Sequence, residues 1–329
     1  MNNFLNLVNH QTDSFLSFIS DKTNIIILSH SLPDGDAMGS SYSLGFALKA
    51  LNKKVKVLCH DPFPKKFTNI LGEFPNDNFN YPDAVITVDV SSPSLFGDSL
   101  AKYVNKIDIC IDHHKSTSKF AKYNIVYSFA ASTCEIIYRM ILRMGVQITQ
   151  NIADCLYLGI ITDTGCFLYP NVTENTFLTA AALVKYGAKT AKLNKIIFNT
   201  KSLEVINLEH AVMSTLRFFI NNKCAIVTCS EIMKKRYPLK DTDVFKISHL
   251  PQTIEGVLIA ITLEQRDDFY KVSLRTVDDI DASFLCSKFG GGGHLNAAGC
   301  KIRGNVNEII HKLVKECELY LDEYFKNAK

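Results

Sequence analysis

Short apolar segments alternate with stretches of helical periodicity over the first half of the chain. The apolar segments are NIIILS (24–29), VKVLC (55–59), AVITVDV (84–90) and IDICI (107–111), and the stretch from Asp36 to Leu51 has the pattern of a helix. Strands that alternate with helices form parallel sheets, because each return connection crosses a face of the sheet. The first half is therefore predicted to be an α/β domain with a mostly parallel sheet and helices on both faces.

The second half has the pattern of a smaller α/β domain. Helical patterns continue to about residue 219, and SLEVINLEHAVMSTLRFF is long enough to form a connecting helix. Strand-like CAIVTCS, IEGVLIAITLEQ and FYKVSLRT follow, then the glycine-rich loop FGGGGHLNAAG and an amphipathic C-terminal helix. We therefore expect a first domain over 1–190, a helical linker over 191–220 and a second domain over 221–329.

Composition excludes several classes of protein. With 36 basic and 33 acidic residues, the net charge of +3 is too balanced for sequence-independent binding of long duplex nucleic acid. The start MNNFLNLVNHQTDSFLSFIS has the pattern of an amphipathic helix rather than a signal peptide, and no apolar run is long enough to span a membrane. The 10 cysteines form no CxxC pair. We expect a cytoplasmic protein with reduced thiols that does not bind membranes.

Ionisable side chains follow the apolar strands of the first domain where these strands end. The polar residues of each segment, taken alone, can also be explained as parts of a turn or a helix cap. The three adjacent polar groups of IDHH are harder to explain in this way, because burying them without strong partners is costly. Since parallel sheets gather ligands at the carboxyl ends of their strands, the combination favours one shared site. Its candidate residues are His30, Asp34, Asp36, Asp89, Asp112, His113, His114 and Asp163.

The donor types of this set favour a metal site. Four carboxylates (Asp34, Asp36, Asp89 and Asp163) and two imidazoles without a thiolate suit Mn²⁺ or Mg²⁺ better than structural zinc. Two such cations would offset the carboxylate charges, and a pair of metals can activate water for a phosphoryl displacement. Cys166 follows Asp163 closely, but no neighbouring pattern resembles a Cys–His pair, which argues against a cysteine nucleophile.

A second cluster lies in the C-terminal domain. Four glycines, Gly290, Gly291, Gly292 and Gly293, precede His294, and Arg275 ends the strand-like segment KVSLR. Glycines allow the backbone to approach a ligand, and a guanidinium suits a phosphate or carboxylate. The alternative is a flexible linker. The flanking Phe289 and Leu295 and the helix-forming Ala-Ala-Gly that follows favour an ordered loop.

Together these segments resemble the DHH/DHHA1 phosphoesterase family, in the branch of bacterial nano-RNases and cyclic-di-AMP phosphodiesterases. The motifs HSLPDGDA, TVDV, IDHH, GIITDTG, SLR and FGGGGHLNAAG carry the resemblance over nearly the whole chain. It implies two Mn²⁺ ions, with Mg²⁺ as the alternative, and a catalytic set of His114, Asp89 and Asp112. The metal contacts it implies are His30, Asp34, Asp36, Asp89, His113 and Asp163, with Asp89 as the bridge.

The resemblance also implies how substrate is held. His114 would face the substrate phosphate, because adjacent residues of an extended segment point in opposite directions, and Asp112 would orient an imidazole. Arg275, Gly290–Gly293 and His294 would hold a terminal phosphate or base, with substrate in the cleft between the domains. Relatives favour a homodimer. Relatives often have arginine where this chain has Leu95, which affects fine specificity rather than metal chemistry.

The leading hypothesis is a Mn²⁺-dependent phosphodiesterase that acts on short nucleotides. Candidate substrates are pApA, other oligoribonucleotides of two to five residues, cyclic-di-AMP and pAp. A pAp (3′) phosphatase and an inorganic polyphosphate or pyrophosphate hydrolase are the alternative enzymes, although the glycine loop and His294 favour a nucleotide. A non-catalytic nucleotide sensor ranks last, because every expected ligand is present.

Overall fold

A computed structural model of the protein describes residues 2–241, 243 and 247–327, with side chains over 8–241, 243 and 247–326. Five strands of the N-terminal half form a sheet in the order β2-β1-β3-β4-β5, with every neighbouring pair parallel. Their bounds are β1 Asn24–Leu28, β2 Lys54–Leu58, β3 Ala84–Val88, β4 Ile109–Asp112 and β5 Tyr123–Val126. The predicted α/β fold with a parallel sheet is confirmed. Of the five strands in this sheet, only β5, a short edge strand with polar residues, was not predicted.

Helices cover both faces of this sheet. Alternate residues of β1 enter different cores: Ile25 and Ile27 pack with the long helices, whereas Ile26 and Leu28 pack with the segment that contains Phe96 and Leu100. The strands are apolar on both sides because both faces are covered. The helices are α1 Asn2–Ile19, α2 Gly35–Ala50, α3 Lys65–Leu71, α4 Ala101–Val104, α5 Thr133–Arg143, α6 Gln150–Asp163, α7 Glu174–Lys185 and α8 Thr190–Phe198.

Small residues allow α2, α5 and α6 to pack unusually closely. A Cβ atom at Gly39 would lie 2.4 Å from the carbonyl oxygen of Cys155, and one at Gly159 would lie 2.2 Å from Cys134 Sγ and 2.6 Å from Asp36 Oδ1. Only glycine fits at these two positions without a shift of the neighbouring atoms. The close contact brings the first turn of α2 beside the last turn of α6.

The C-terminal part forms a second, six-stranded sheet in the order β10-β11-β9-β8-β7-β6. Among these strands β7 and β8 pair in parallel and the other neighbours are antiparallel. The strands are β6 Arg217–Phe219, β7 Cys224–Cys229, β8 Ile259–Arg266, β9 Phe269–Thr276, β10 Gly292–His294 and β11 Ala297–Ile302, and the helices are α9 Leu203–Met213, α10 Glu231–Arg236, α11 Ala282–Ser287 and α12 Val306–Asn327.

The chain divides into two compact units, residues 1–200 and 201–329. The stretch 191–220, which we predicted as a helical linker, is divided between them: α8 belongs to the first unit, and α9 and β6 belong to the second. The single connecting helix predicted over 202–219 is wrong, because α9 ends at Met213 and Arg217–Phe219 pair with β7 as an edge strand. Three residues are too few for the apolar periodicity to distinguish an edge strand from the end of a helix.

The glycine-rich segment is a hairpin rather than a loop followed by a helix. Gly292–His294 form β10, and the Ala-Ala-Gly that we expected to begin a helix lies in β11. A Cβ atom at Gly291 would lie 2.2 Å from the carbonyl oxygen of Gly299, and one at Gly293 would lie 2.5 Å from that of Ala297. Small residues on both strands therefore let the hairpin close.

Among the described residues, no helix is long and apolar enough to cross a membrane. The ten cysteines are free thiols, and all except Cys59 and Cys166 are buried.

We predict that Gly39→Ala destabilises the protein by about 1–3 kcal/mol, because the methyl group must displace the backbone of α6. Helix propensity alone predicts the opposite sign. Urea denaturation gives the free energy of unfolding of the variant and of the control Ala50→Gly, at the exposed end of the same helix. The control should lose no more than about 1 kcal/mol. A stabilised Gly39→Ala protein would contradict the packing described above.

Candidate metal centre

The first unit brings all six predicted metal ligands to the carboxyl edge of its sheet. His30 follows β1, Asp89 follows β3 and His113 follows β4, while Asp34 and Asp36 begin α2 and Asp163 ends α6. Possible ligand atoms lie within 4.8 Å of one another in three groups, and each of the six residues belongs to at least one. The groups are Asp89, His113 and His114; His30, Asp34 and Asp89; and Asp36, His113 and Asp163.

Asp89 occupies the centre of this constellation. Its Oδ2 lies 3.7 Å from His30 Nε2, and its Oδ1 lies 3.8 Å from His113 Nε2. The side chain is only 2% exposed, and the backbone has a φ of 58°, a left-handed conformation that costs free energy and tends to occur at functional sites. The two carboxylate oxygens thus face two different histidines, as a bridging ligand requires.

Asp36 is held by the N-terminus of α5. Its Oδ2 accepts a hydrogen bond from Thr133 N at 2.6 Å, and its Oδ1 accepts one from Cys134 N at 2.9 Å. The first amides of a helix lack partners within the helix and favour a negative charge. The hydroxyl of Thr133 donates to Asp89 Oδ1 at 3.0 Å. One helix end therefore fixes two carboxylates of the site.

The histidine tautomers fit a metal. Nδ1 of His30 lies 2.8 Å from the carbonyl oxygen of Ser31, and Nδ1 of His113 lies 3.2 Å from that of Ala130, so in both rings Nδ1 carries the hydrogen. In the neutral form of each ring, the lone pair is on Nε2, which faces the carboxylates and could bind a cation. Nε2 of His113 is buried and has no hydrogen-bond partner among the described residues. A buried nitrogen of this kind, beside Asp36, Asp89 and Asp163, fits a divalent cation.

The remaining two carboxylates stand at the more exposed side of the site. Asp163 Oδ2 lies 3.2 Å from His113 Nε2, and Asp34 Oδ1 lies 4.0 Å from His30 Nε2. Asp34 also caps α2, because its Oδ1 accepts hydrogen bonds from the amides of Asp36 and Ala37. Asp34 therefore both faces His30 and stabilises the turn that directs the side chain of Asp36 into the interior.

The expectation that His113 and His114 point in opposite directions is wrong, because β4 ends at Asp112 and both rings lie beside Asp89, with centroids 4.4 Å apart. The three residues of the Asp-His-His motif nevertheless have different surroundings. Asp112 is fully buried, and its Oδ1 lies 2.8 Å from His114 Nδ1 while its Oδ2 accepts a hydrogen bond from the hydroxyl of Thr117. Asp112 thus orients His114 rather than His113. The His114 side chain is 45% exposed, and because Nδ1 is held by Asp112, its Nε2 is the nitrogen available to a ligand.

Charges in the site oppose the effect of burial on the histidines. Burial alone would lower the pKa of His113, but the carboxylates of Asp163, Asp36 and Asp89 raise this pKa to about 10. Burial also lowers the pKa of His30, but its neighbours, chiefly Asp89, raise this pKa to about 9. Burial beside Asp89 and Asp163 raises the pKa of Asp36. Without cations the site therefore holds protons at neutral pH.

Two further segments border the site. The carbonyl of Leu95 accepts a hydrogen bond from Ser31 N at 2.7 Å, so this residue supports the loop after His30 through its backbone. Burial raises the pKa of the Cys166 thiol, which does not favour a nucleophilic thiolate. Gly165, Cys166 and Phe167 form a left-handed turn, with φ values of 55°, 58° and 67°. Such a turn costs about 1–2 kcal/mol at each non-glycine residue.

In the second unit, Arg275 and His294 lie on one face of the sheet. Arg275 pairs with Ala297, and Ala297 pairs with His294, so the three residues form one row across β9, β11 and β10. Directly opposed residues of antiparallel strands share a face, and the residue between the two larger side chains is the small Ala297. Among the predicted glycines, Gly291 and Gly293 are needed for packing, whereas a Cβ at Gly290 or Gly292 would meet nothing within 4 Å.

The sequence interpretation missed Thr133 and Thr117, which hold Asp36, Asp89 and Asp112. A signal for Thr133 was present, since Ser132 and Glu135 have the spacing of a helix-capping box and Ser132 does cap α5. For Thr117 no pattern in the sequence indicates the contact.

We predict that Asp89→Asn removes most of the capacity of the protein to bind Mn²⁺. Asparagine tolerates a left-handed backbone, so this change removes the charge while it retains the local conformation. Titration calorimetry should give two Mn²⁺ per chain for the unmodified protein, and an affinity lower by more than about a hundredfold for the variant. Asp98→Asn, at an exposed residue, is the control. Equal stoichiometry and affinity in all three proteins would exclude the bridging role.

We predict that Mn²⁺ binding releases protons and becomes tighter as the pH rises from 6 to 8. The pKa values of His30 and His113 lie above this range in the metal-free site, so cations must displace protons there. Calorimetry in buffers with different ionisation enthalpies counts the protons released. An affinity that does not change with pH would show that these imidazoles are not ligands.

The chain is similar to known proteins over most of its length. The chain is 31% identical over 284 residues to the bifunctional oligoribonuclease and PAP phosphatase NrnA of Thermus thermophilus, covering 85% of this chain and 84% of the relative. The protein of the same name from Bacillus subtilis is 27% identical over 290 residues, 86% and 91% of the two chains. The crystal structure of an exopolyphosphatase-related protein from Bacteroides fragilis superposes with a TM-score of 0.83 at 27% identity, covering 95% and 96%.

Family profiles match both parts of the chain. The profile described as "DHH family, N-terminal domain" matches residues 24–160, and the one described as "DHHA1 domain" matches residues 239–319. The first match contains every predicted metal ligand except Asp163, and the second contains Arg275 and His294. The protein therefore belongs to the DHH family and carries a DHHA1 domain.

Proposed function

We propose that this protein is a metal-dependent phosphoesterase that hydrolyses short nucleotides and uses two Mn²⁺ ions, with Mg²⁺ as the alternative cation. One observation carries the proposal: the two oxygens of the buried Asp89 face His30 and His113, and each histidine has further carboxylates beside it. Two adjacent cation positions that share one carboxylate are typical of hydrolases that act on phosphate esters.

Each residue of the site has a separate task in this reaction. Cations bound there would lower the pKa of a water molecule and polarise the phosphoryl oxygens. His30, Asp34, Asp36, His113 and Asp163 would hold the cations, and Asp89 would be shared between them. Asp112 fixes the hydrogen on Nδ1 of His114, so that Nε2 of His114 contacts the phosphate of the substrate or its leaving oxygen. Thr133 holds both Asp36 and Asp89 in position.

The second unit supports a nucleotide as the substrate. Arg275 and His294 share one face of the sheet, with only the small Ala297 between them. A guanidinium and an imidazole on one face of a sheet suit a terminal phosphate and a base. The names of the Thermus and Bacillus relatives, oligoribonuclease and PAP phosphatase, support pApA, other short oligoribonucleotides and pAp as substrates. Cyclic-di-AMP belongs to the same chemical class.

Hydrolysis of inorganic polyphosphate or pyrophosphate is the second candidate. It is favoured by the likeness to the structure of the exopolyphosphatase-related protein from Bacteroides fragilis. Such substrates have no base, so they would leave the face with Arg275 and His294 only partly used.

Parallel assays distinguish these candidates. The purified protein with Mn²⁺ is offered pApA, a ribonucleotide 5-mer, cyclic-di-AMP, pAp, pyrophosphate and polyphosphate, and the products are separated by chromatography. We expect hydrolysis of pApA and the 5-mer, with little or none of pyrophosphate. Turnover of the inorganic substrates alone would establish the second candidate. Binding without turnover of any substrate would contradict the enzymatic proposal.

We predict that Arg275→Ala raises KM for pApA by about tenfold or more and leaves kcat within about threefold, because the proposed contact of Arg275 is with a terminal phosphate and not with the reacting atoms. The control is Arg303→Ala, which removes an exposed arginine of the same unit that pairs with Asp268. A depressed kcat with an unchanged KM would contradict the proposed role of Arg275.

A further inference from the structure

We propose that Tyr169 is a stacking platform for a nucleobase of the substrate, placed beside the metal centre by a rigid loop. This inference rests on the proposed function and adds a determinant of specificity to it. The loop, residues 164–171, directly follows the metal-ligand candidate Asp163. It presents two large apolar side chains to solvent, Leu168 at 83% exposure and Tyr169 at 54%.

The loop is anchored at both ends to the metal centre. The side-chain amide of Asn171 donates hydrogen bonds to the carbonyl oxygens of Asp163, at 3.1 Å, and Ala131, at 3.0 Å. Ala131 lies in the segment between Ala130, whose carbonyl faces His113, and Thr133, which holds Asp36 and Asp89. A displacement of the loop would therefore disturb the segment that supports the metal ligands.

The middle of the loop is anchored to the core. The ring of Phe167 stacks on that of Phe177, with centroids 5.4 Å apart and planes inclined by 18°, and Phe167 packs against the main core. The hydroxyl of Thr164 accepts a hydrogen bond from Phe167 N at 3.1 Å. The left-handed turn at Gly165–Phe167 allows Phe167 to pack inward while the next two side chains remain outside.

Gly165 forms the support beneath the tyrosine ring. A Cβ atom at Gly165 would lie 2.5–2.8 Å from three atoms of the Tyr169 ring, so only glycine lets the ring lie this close to the backbone. The amide of Tyr169 donates to the carbonyl of Thr164 at 3.0 Å, which fixes the start of the side chain. The ring is therefore supported on one side and open to solvent on another.

An aromatic ring with this arrangement suits a flat aromatic ligand. Base–aromatic stacking is a common source of affinity for single-stranded nucleotides and tolerates different bases. Because Tyr169 lies six residues after Asp163 in a loop tied to it, we expect the stacked base to be one of the two whose riboses flank the scissile phosphate. Scattered exposed aromatic residues are ordinary on protein surfaces. Tyr169 differs from them because a strained turn holds it, and other parts of the fold must offset the free energy that this turn costs.

The test combines removal of the ring with removal of the base. Tyr169→Ala and Tyr169→Phe are compared with the control Tyr81→Ala. Tyr81 is an even more exposed tyrosine, and it precedes β3, at the opposite end of the strand from Asp89. The substrates are pApA and two analogues of pApA, each with one base replaced by an abasic tetrahydrofuran unit. Tyr169→Leu is included because it keeps a large side chain over Gly165 without an aromatic face.

Tyr169→Ala should raise KM for pApA by about tenfold and leave kcat within about threefold, whereas Tyr169→Phe and Tyr81→Ala should resemble the unmodified protein. With one of the two abasic analogues, Tyr169→Ala and the unmodified protein should have the same KM, because the ring then has no base to contact. Tyr169→Leu should behave as Tyr169→Ala does, even if the alanine variant is less stable.

Three outcomes would overturn the inference. One is a KM of Tyr169→Ala and Tyr169→Leu equal to that of Tyr81→Ala, and another is a KM increase that persists with both abasic analogues. In either case the unmodified protein still hydrolyses pApA, so the proposed function stands. The third is a failure of the unmodified protein to hydrolyse any nucleotide, which would remove the proposed function and this inference together.

Discussion

The burial of several carboxylates beside one another is the constraint on which the rest of this structure depends. Asp36, Asp89 and Asp112 are almost completely shielded from water, and buried charges are costly unless they are paired and hydrogen-bonded. The first amides of α5 donate hydrogen bonds to Asp36, the hydroxyl of Thr133 donates one to Asp89, and the amide of His113 donates one to Asp112. Imidazoles and, in the active protein, cations compensate the remaining charge.

The packing of the first unit follows from this constraint. The ligand candidates that follow β1, β3 and β4 and those of α2 and α6 can share a site only if the helices approach one another closely, and Gly39 and Gly159 permit that approach. Asp89 adopts a left-handed backbone at the same place. The tight helix contacts and the strained residue are thus parts of one arrangement, in which the free energy lost at the site is offset by the core around it.

Much of the site could be predicted from the sequence, because it depends on strand ends. His30, Asp89 and the Asp-His-His motif follow apolar runs directly, and a parallel sheet brings such positions together. The capping pattern at Ser132 marks the start of α5 in the sequence, but the contacts of Thr133 and the proposed role of Tyr169 could not be predicted, since they depend on how α5 and the loop after α6 pack in three dimensions.

The glycine run shows a second limit of sequence analysis. Ligand binding and hairpin packing both require glycine, and only the contacts of Gly291 and Gly293 distinguish the two uses. The connecting helix was overextended because STLRFF has no pattern that separates a short strand from a helix end. The homodimer and the cytoplasmic location stay predictions, because a single folded chain does not test them.

The central claim is that Asp89 joins two cations in one centre, and electron paramagnetic resonance of the Mn²⁺-loaded protein tests it most directly. Two Mn²⁺ ions that share a carboxylate lie roughly 3.5–4 Å apart and are coupled magnetically. With two equivalents of Mn²⁺, the account predicts the spectrum of a coupled pair, which the Asp89→Asn variant loses. A six-line spectrum of isolated Mn²⁺ in the unmodified protein under the same conditions would contradict it.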